Sequence, residues 1–245
     1  MINRRRLVTG GAALIVYSAL DRKGRAQSFL PGQYPAGASA GAAPPVTAMS
    51  LFDSNTSEAT TISVPAGVQA GDLLVLADLA LSANVLPTDF TQIATDVVNT
   101  LRLSTSFKLA TGSETTITGM SGSGAVSKIL AVFRPNGTVA SYGVFDAEQA
   151  ATGGNPAGQT ITSSGGTAPL IAFGFWGANG TVDPRAMTPA KDAELNQDWD
   201  SNTDALYIAW KFYDVGETPA NVTVDMDDEG NANNMQSCYI QANAA

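Results

Sequence analysis

The chain has 245 residues and a net charge of −9, with no histidine and a single cysteine, Cys238. Without an imidazole it can form neither Ser-His-Asp nor Cys-His nucleophile systems, and most catalytic zinc sites are excluded for the same reason. A single cysteine excludes an internal disulfide and a thiolate metal cluster, and its alternating apolar surroundings predict a buried, inert thiol.

The basic residues are concentrated at the N-terminus. Six of the 13 lie in the first 25 residues, which carry +5, whereas the remaining 220 residues hold seven basic and 21 acidic side chains and carry −14. This asymmetry separates an N-terminal segment, residues 1–27, from an acidic body. Because an acidic body repels nucleic acid, we expect the fold itself not to bind DNA or RNA.

Residues 7–20 form an apolar run that is too short and too glycine-rich to span a bilayer of about 30 Å. Its basic head, apolar middle and small-residue exit are the parts of an export signal. The stretch 3–8, with the pair Arg4-Arg5, resembles a twin-arginine export motif, and a cleavage position precedes Gln27. The resemblance implies a periplasmic or extracellular location.

The alternative is that the segment stays attached and anchors the protein in an assembly. An intact Met1 in the mature protein would favour this anchoring arm, whereas a mature start at Gln27 would favour export. The arm residues expected to make the contacts are basic or apolar: Arg4, Arg5, Arg6, Leu14, Ile15 and Val16.

Residues 28–45 are rich in Gly, Ala and Pro, which is the composition of a linker. From residue 46 onward, short β-branched and aromatic runs alternate with Gly, Pro, Asn and Ser, so residues 46–245 are predicted to form one β domain. The predicted strands are Val46–Phe52, Thr61–Val64, Asp72–Ala80, Phe90–Asp96, Leu101–Ala110, Thr115–Thr118, Ser127–Phe133, Ala140–Asp146, Gln159–Thr162, Leu170–Trp176, Leu206–Tyr213, Val222–Asp225 and Met235–Gln241.

The patterns within these runs predict their positions in the fold. Leu73–Ala77 and Leu170–Phe175 are almost continuously apolar, as in central strands covered on both faces, whereas Leu101–Leu109 alternates like a strand with one buried face. Trp176 and Trp210 are expected in the core. Only Lys191–Leu195 suggests a helical turn. The predicted fold class is an all-β, antiparallel, two-sheet sandwich of jelly-roll type.

The turn before the third predicted strand has specific chemistry. Pro65 ends a strand, Gly67 permits a positive φ, and Asp72 can accept hydrogen bonds from nearby backbone amides. We expect this segment to serve turn and core formation rather than catalysis.

Residues 61–75 resemble a recurrent opening of jelly-roll modules in virion proteins of tailed phages. The stretches 87–93, 107–114 and 129–134 resemble the following segments of the same modules, so the resemblance covers residues 61–134. It implies a structural protein displayed on a particle, with other virion proteins and further copies of the chain as partners. It specifies an architecture and no reaction.

An acidic segment at 225–236 is the best candidate for a metal site. Its oxygen-bearing residues, with a glycine at the sixth position, resemble a calcium loop, although Gln236 replaces the glutamate expected at the twelfth. The flanking sequence is typical of strands, so the alternative is a solvated hairpin tip. The candidate Ca²⁺ ligands are Asp225, Asp227 and Glu229, and no other cofactor is expected.

A second acidic stretch surrounds Trp199. Carboxylates beside an aromatic ring are the groups that a sugar-binding loop or a glycosidase acid/base pair requires. The candidate residues for a host-surface glycan are Asp198, Trp199 and Asp200.

These observations favour a non-enzymatic virion protein of a tailed phage, a capsid decoration, head spike or tail-tip component anchored by its N-terminal arm. The alternative is an exported bacterial β-sandwich that binds polysaccharide or a cell-surface partner. A carbohydrate-active enzyme that uses the acidic loops is a third hypothesis.

Overall fold

The structure is a computed structural model that describes residues 44–81, 85–98, 100–120, 126–152, 159–161, 169–179, 185–199, 204–226 and 233–245. The chain divides into two units, Met1–Ala42 and Ala43–Ala245, and the first lies outside the described residues. The described part of the second contains strands, turns and bends but no helix. It therefore offers no helix of the length and apolarity that crossing a membrane requires.

The strands account for most of the described body. They are β1 (Met49–Ser57), β2 (Ile62–Ser63), β3 (Ala70–Ala80), β4 (Thr91–Val98), β5 (Leu101–Thr111), β6 (Thr116–Ile117), β7 (Val126–Pro135), β8 (Val139–Thr152), β9 (Gln159–Ile161), β10 (Leu170–Asn179), β11 (Arg185–Thr188), β12 (Ala193–Trp199), β13 (Asp204–Tyr213), β14 (Val222–Met226) and β15 (Asn233–Ala244).

Two five-stranded antiparallel sheets form the sandwich. The first has the order β1-β7-β3-β5-β4 and the second the order β12-β13-β10-β15-β8. A two-stranded sheet, β2-β6, shares a core with the outer face of the first sheet, and a three-stranded sheet, β11-β14-β9, does the same on the second. The predicted all-β antiparallel sandwich is confirmed.

Three apolar clusters fill the spaces between these layers. The central cluster joins the inner faces of the two large sheets, where the Phe133 ring lies 5.3 Å from that of Phe173 and 5.4 Å from that of Trp210. The outer clusters bury Leu74 and Leu76 on one side and Trp176 on the other. Because each central strand contributes to two clusters, the prediction that β3 and β10 are covered on both faces is confirmed.

Each of the 13 predicted strands overlaps a strand of the structure, with different bounds in most cases, and β11 and β12 were missed. The helical turn predicted at Lys191–Leu195 is wrong, because β12 pairs with β13 along its whole length. Asp192 directs this pairing: its backbone N–H donates to Trp210 O (2.8 Å) and its carboxylate accepts from Phe212 N (2.7 Å). Strand pairing thus overrides a short local preference.

The two halves of the body have the same topology. The strands β1 through β7 correspond in chain order to β8, β9, β10, β12, β13, β14 and β15. With this correspondence, the second sheet read from β8 to β12 has the same strand order as the first sheet read from β1 to β4. The small sheets agree as well, since β2 pairs with β6 and β9 pairs with β14. The body is therefore a tandem repeat: repeat 1 spans β1–β7 and repeat 2 spans β8–β15.

Registers identify the counterpart residues of the two repeats. Val75 lies opposite Phe107 and Ala131, and Phe173 lies opposite Trp210 and Cys238 in the same arrangement. The turns after β5 and β13 also agree. Lys108 lies six residues before Glu114, and Lys211 lies six residues before Glu217. The carboxylate of Glu114 accepts a hydrogen bond from Thr111 N (2.8 Å), and that of Glu217 accepts one from Asp214 N (2.7 Å).

The repeats face each other reciprocally. β12 lies against β7, and their counterparts β4 and β15 also lie against each other. Such reciprocity is the property of an isologous two-fold interface, here formed within one chain. Repeat 1 supplies the first large sheet and repeat 2 supplies the second. The central core lies between these two sheets, so its formation requires both repeats.

The predicted turn chemistry around Asp72 is confirmed and extended. Gly67 has φ of 88°, and Asp72 Oδ2 accepts from Gln69 N (2.8 Å). The buried Asp72 carboxylate also binds Arg134 in a bidentate manner, at 2.9 and 2.7 Å, and Arg134 stacks on the Phe52 ring at 3.7 Å. This ion pair ties the start of β3 to the end of β7, and the sequence did not predict it.

Candidate functional site

The predicted calcium ligands are only partly described. Asp225 is exposed in β14, and its carbonyl oxygen accepts a hydrogen bond from Trp176 Nε1 (3.2 Å), whereas Asp227 and Glu229 lie outside the described residues. Over the ranges that are described, no three His, Cys, Asp or Glu side chains form a group that could hold a metal ion. The predicted arm residues, Arg4 to Val16, also lie outside these ranges.

The predicted glycan residues are placed on a strand. The backbone of Asp198 and Trp199 belongs to β12, opposite Ala205 and Asp204, so these two residues extend an edge strand instead of occupying a loop. Asp200 lies outside the described residues. β13 and β15 begin at the same end of the second sheet, since Asp204 lies opposite Asn179 and Asn233 lies opposite Ala178 at the end of β10.

A pocket of about 390 Å³ lies where the first sheet meets β8 of the second. The pocket is open to solvent on one side, and its volume lies at the lower end of the range of small-molecule sites, about 300–1,000 Å³. Its walls come from the turn before β4, from β4 and β5, and from the start of β8. The lining residues are Asp89, Thr91, Phe107, Lys108, Leu109, Thr111, Ser141 and Tyr142.

Asp89 holds its carboxylate at the mouth of the pocket. The residue has φ of 65°, in a turn that is closed by a hydrogen bond from Phe90 N to Pro87 O (3.2 Å). Its side chain is 73 % exposed and its carboxylate lies 3.8 Å from Lys108 Nζ. A left-handed backbone conformation destabilises the folded state by about 1 kcal/mol or more at residues other than glycine, although aspartate tolerates it better than most residues.

Lys108 connects the pocket to the turn after β5. Its ammonium lies 3.3 Å from Glu114 Oε1, and the Glu114 side chain is only 9 % exposed. Burial alone would raise the pKa of Glu114, but hydrogen bonds from the backbone N–H of Thr111 and from the Thr111 hydroxyl and Lys108 outweigh it, and the pKa falls from 4.5 to about 2. Glu114 is therefore ionised at neutral pH and keeps Lys108 in place.

Tyr142 and Ser141 complete the opposite wall. The Tyr142 hydroxyl donates to Gly71 O (2.8 Å), which fixes the ring between the sheets. Burial raises the pKa of this phenol, and the Asp72 charge raises it further, so Tyr142 remains protonated. Ser141 Oγ accepts from Asn243 Nδ2 at 3.1 Å, which ties the start of β8 to the end of β15.

The counterpart positions, Ala193 and Lys191 in repeat 2 and Ala48 and Met49 in repeat 1, lack most of this polar lining. Thr91, Ser141 and Tyr142 correspond to Ala193, Ala48 and Met49, and Asp89 corresponds to Lys191. The lysine of the pocket is retained as Lys211. The pairing of β4 with β5 is repeated by β12 with β13 without these hydroxyl groups, so strand pairing does not require the Thr91 hydroxyl group. Among the described residues, β8 packs against β4, but β1 makes no comparable contact with β12.

Sequence reasoning missed this pocket because its residues come from three segments, 89–91, 107–111 and 141–142, that are brought together only by the packing of two sheets. One signal was available in the sequence: the similar tripeptides Phe107-Lys108-Leu109 and Trp210-Lys211-Phe212. In each of them the lysine lies six residues before a glutamate, Glu114 or Glu217. This signal would have revealed the repeat, and comparison of the repeats identifies the positions that differ. The predicted burial of the Cys238 thiol is confirmed, since the side chain is fully buried, and burial raises its pKa.

No family model, curated protein or solved structure matches the chain.

Proposed function

We propose that the chain is a non-enzymatic structural protein of a tailed-phage virion, in which the tandem-repeat body is displayed on the particle and the basic N-terminal segment anchors it. The observation that carries the proposal is the closure of the body by its own internal repeat. A displayed module must fold without help from a neighbour, and here each repeat supplies the partner sheet of the other.

The resemblance to virion modules agrees with the boundaries of the repeat. It covers residues 61–134, which correspond to β2 through β7 and so to almost all of repeat 1. The agreement with a structural unit favours a displayed module over a chance similarity of short turns.

The charge distribution also favours display. The 220 residues after position 25 carry −14, which keeps displayed bodies apart from one another and from other acidic surfaces. The first 25 residues carry +5 and would dock on an acidic or mixed surface of the shell. Many copies that each contribute one arm gain binding strength by multivalency.

The chemistry of the pocket favours binding over catalysis. Glu114, with a pKa of about 2, is ionised at neutral pH and cannot serve there as a general acid. The Lys108 ammonium forms ion pairs with two carboxylates, at 3.8 Å to Asp89 and 3.3 Å to Glu114, and is not placed as a nucleophile. Hydrogen-bond donors and acceptors remain, which suits recognition.

The test is to purify particles by density gradient from the phage that encodes the chain and to identify their proteins by mass spectrometry. We expect the chain in the particle band at a stoichiometry of many copies. Antibody labelling in the electron microscope would then show whether the head or the tail carries it. Absence of the chain from washed particles would overturn the proposal and favour the exported β-sandwich.

A further inference from the structure

We propose that the pocket between β4, β5 and β8 binds a neutral pyranose sugar. It combines a short apolar wall, formed by Phe107, Leu109 and Tyr142, with hydrogen-bonding groups at its rim. Sugars present the same combination, since a ring carries a patch of C–H groups on its face and hydroxyl groups around its edge. This site is distinct from the acidic stretch at residues 198–200.

The rim offers both kinds of hydrogen-bonding partner. The Asp89 carboxylate can accept from two adjacent hydroxyl groups, and the Lys108 ammonium can donate to a third. Thr91 adds a hydroxyl group that donates or accepts as the ligand requires. Such groups match a ligand that is rich in hydroxyls.

The charges around the pocket exclude other ligand classes. Lys108 is balanced by Asp89 and Glu114, so the three groups together carry a net charge of −1, which disfavours an anionic ligand. A purely apolar ligand would cover the Asp89 charge without replacing its water, at a cost of several kcal/mol. A neutral polyol avoids both penalties.

Comparison of the repeats supports a role in binding. The hydroxyl-bearing residues Thr91 and Ser141 and the acid Asp89 are replaced at the counterpart positions by Ala193, Ala48 and Lys191. β12 pairs with β13 from Ala193 onward as β4 pairs with β5 from Thr91 onward, so strand pairing does not require the Thr91 hydroxyl group. The turns before these strands differ, since Thr188–Pro189 is a cis peptide and Asp192 N donates to Trp210 O, whereas Phe90 N donates to Pro87 O. The positive φ of Asp89 is a further cost that a purely structural turn could avoid with glycine.

The test is saturation-transfer difference NMR on the purified full chain with glucose, galactose, N-acetylglucosamine and glucuronate at millimolar concentration. We expect transfer to at least one neutral sugar and none to glucuronate. The variant Asp89→Asn with Thr91→Ala should weaken that sugar about tenfold or more, because one strong hydrogen bond is worth about 1.4 kcal/mol. Asparagine tolerates the same backbone conformation, so this variant should fold normally.

The matched control is Lys191→Ala, which alters the counterpart of Asp89 in repeat 2 and should leave sugar binding unchanged. The proposal is overturned if no neutral sugar shows transfer, if glucuronate binds more tightly, or if the double variant binds as well as the wild type. The measurement uses isolated protein, so its result is independent of whether the chain belongs to a particle.

Discussion

Thr105 Oγ1 donates a hydrogen bond of 2.6 Å to Gln236 Oε1 across the interior of the sandwich, and both side chains are buried. Gln236 Nε2 in turn donates to Leu103 O (3.0 Å), so one amide links the two large sheets. The counterparts of Thr105 and Gln236 in the other half of the core are Ile208 and Ile129. The two halves of the core therefore differ at this position, where Thr105 and Gln236 are polar and the corresponding Ile208 and Ile129 are apolar.

This relationship predicts a strongly coupled pair. Thr105→Val leaves Gln236 Oε1 buried without this donor and should lower the free energy of unfolding by about 1–3 kcal/mol. Adding Gln236→Ile recreates the apolar pair of the other half and should recover most of that loss. Urea denaturation of the wild type, both single variants and the double variant measures the coupling. Additive losses would contradict the assignment.

A buried ion pair distinguishes the outer faces of the two sheets in a similar way. Lys128 Nζ lies 3.3 Å from Asp78 Oδ1, and the side chains are 0 % and 4 % exposed. Their counterparts, Met235 and Trp176, are apolar. Lys128→Met should destabilise the fold by about 3–5 kcal/mol, since it leaves the buried Asp78 without its cation. Thermal denaturation followed by circular dichroism measures the loss.

The double variant Asp78→Leu with Lys128→Met is the control for this pair. Two apolar side chains can replace a buried ion pair at little cost, so the double variant should be more stable than Lys128→Met alone. If the double variant is the less stable of the two, the pair contributes through contacts other than its mutual charge.

The turn after β5 should make stability depend on pH. The pKa of Glu114 is depressed from 4.5 to about 2, so its contribution is complete above pH 4.5 and is lost as the pH falls toward 2. Glu114→Gln should therefore destabilise the protein by about 1–2 kcal/mol at neutral pH and by little near pH 2. Denaturation midpoints between pH 2 and 7 measure this difference.

Glu217→Gln, at the corresponding turn of repeat 2, is the matched control. Glu217 is exposed, so solvent screens its interactions and the substitution should cost less than Glu114→Gln at neutral pH. An equal cost for the two variants, or a cost of Glu114→Gln that does not change with pH, would contradict the role given to Glu114.

Local patterns predicted much of this fold because strand positions depend on properties of neighbouring residues. Continuous apolar runs identified β3 and β10 as central strands, and Gly67 with Asp72 identified a turn whose hydrogen bonds are formed as expected. β12 was missed because its seven residues contain little β-branched character and are held by pairing with β13. That pairing is a property of the folded chain.

The candidate site could not be predicted in the same way. Asp89 and Tyr142 are more than 50 residues apart and lie near each other only because β8 of repeat 2 packs beside β4 of repeat 1. No spacing in a single stretch encodes this proximity. The acidic stretches at residues 198–200 and 225–236 can be identified from local composition, but composition alone does not specify a site.

The most direct test of the proposed role is the intact mass of the chain recovered from washed particles. The account predicts that the chain is present and that its mass includes residues 1–26, because the basic segment is the anchor. A chain that is absent from particles and begins at Gln27 in the periplasm or the medium would contradict it and establish export instead.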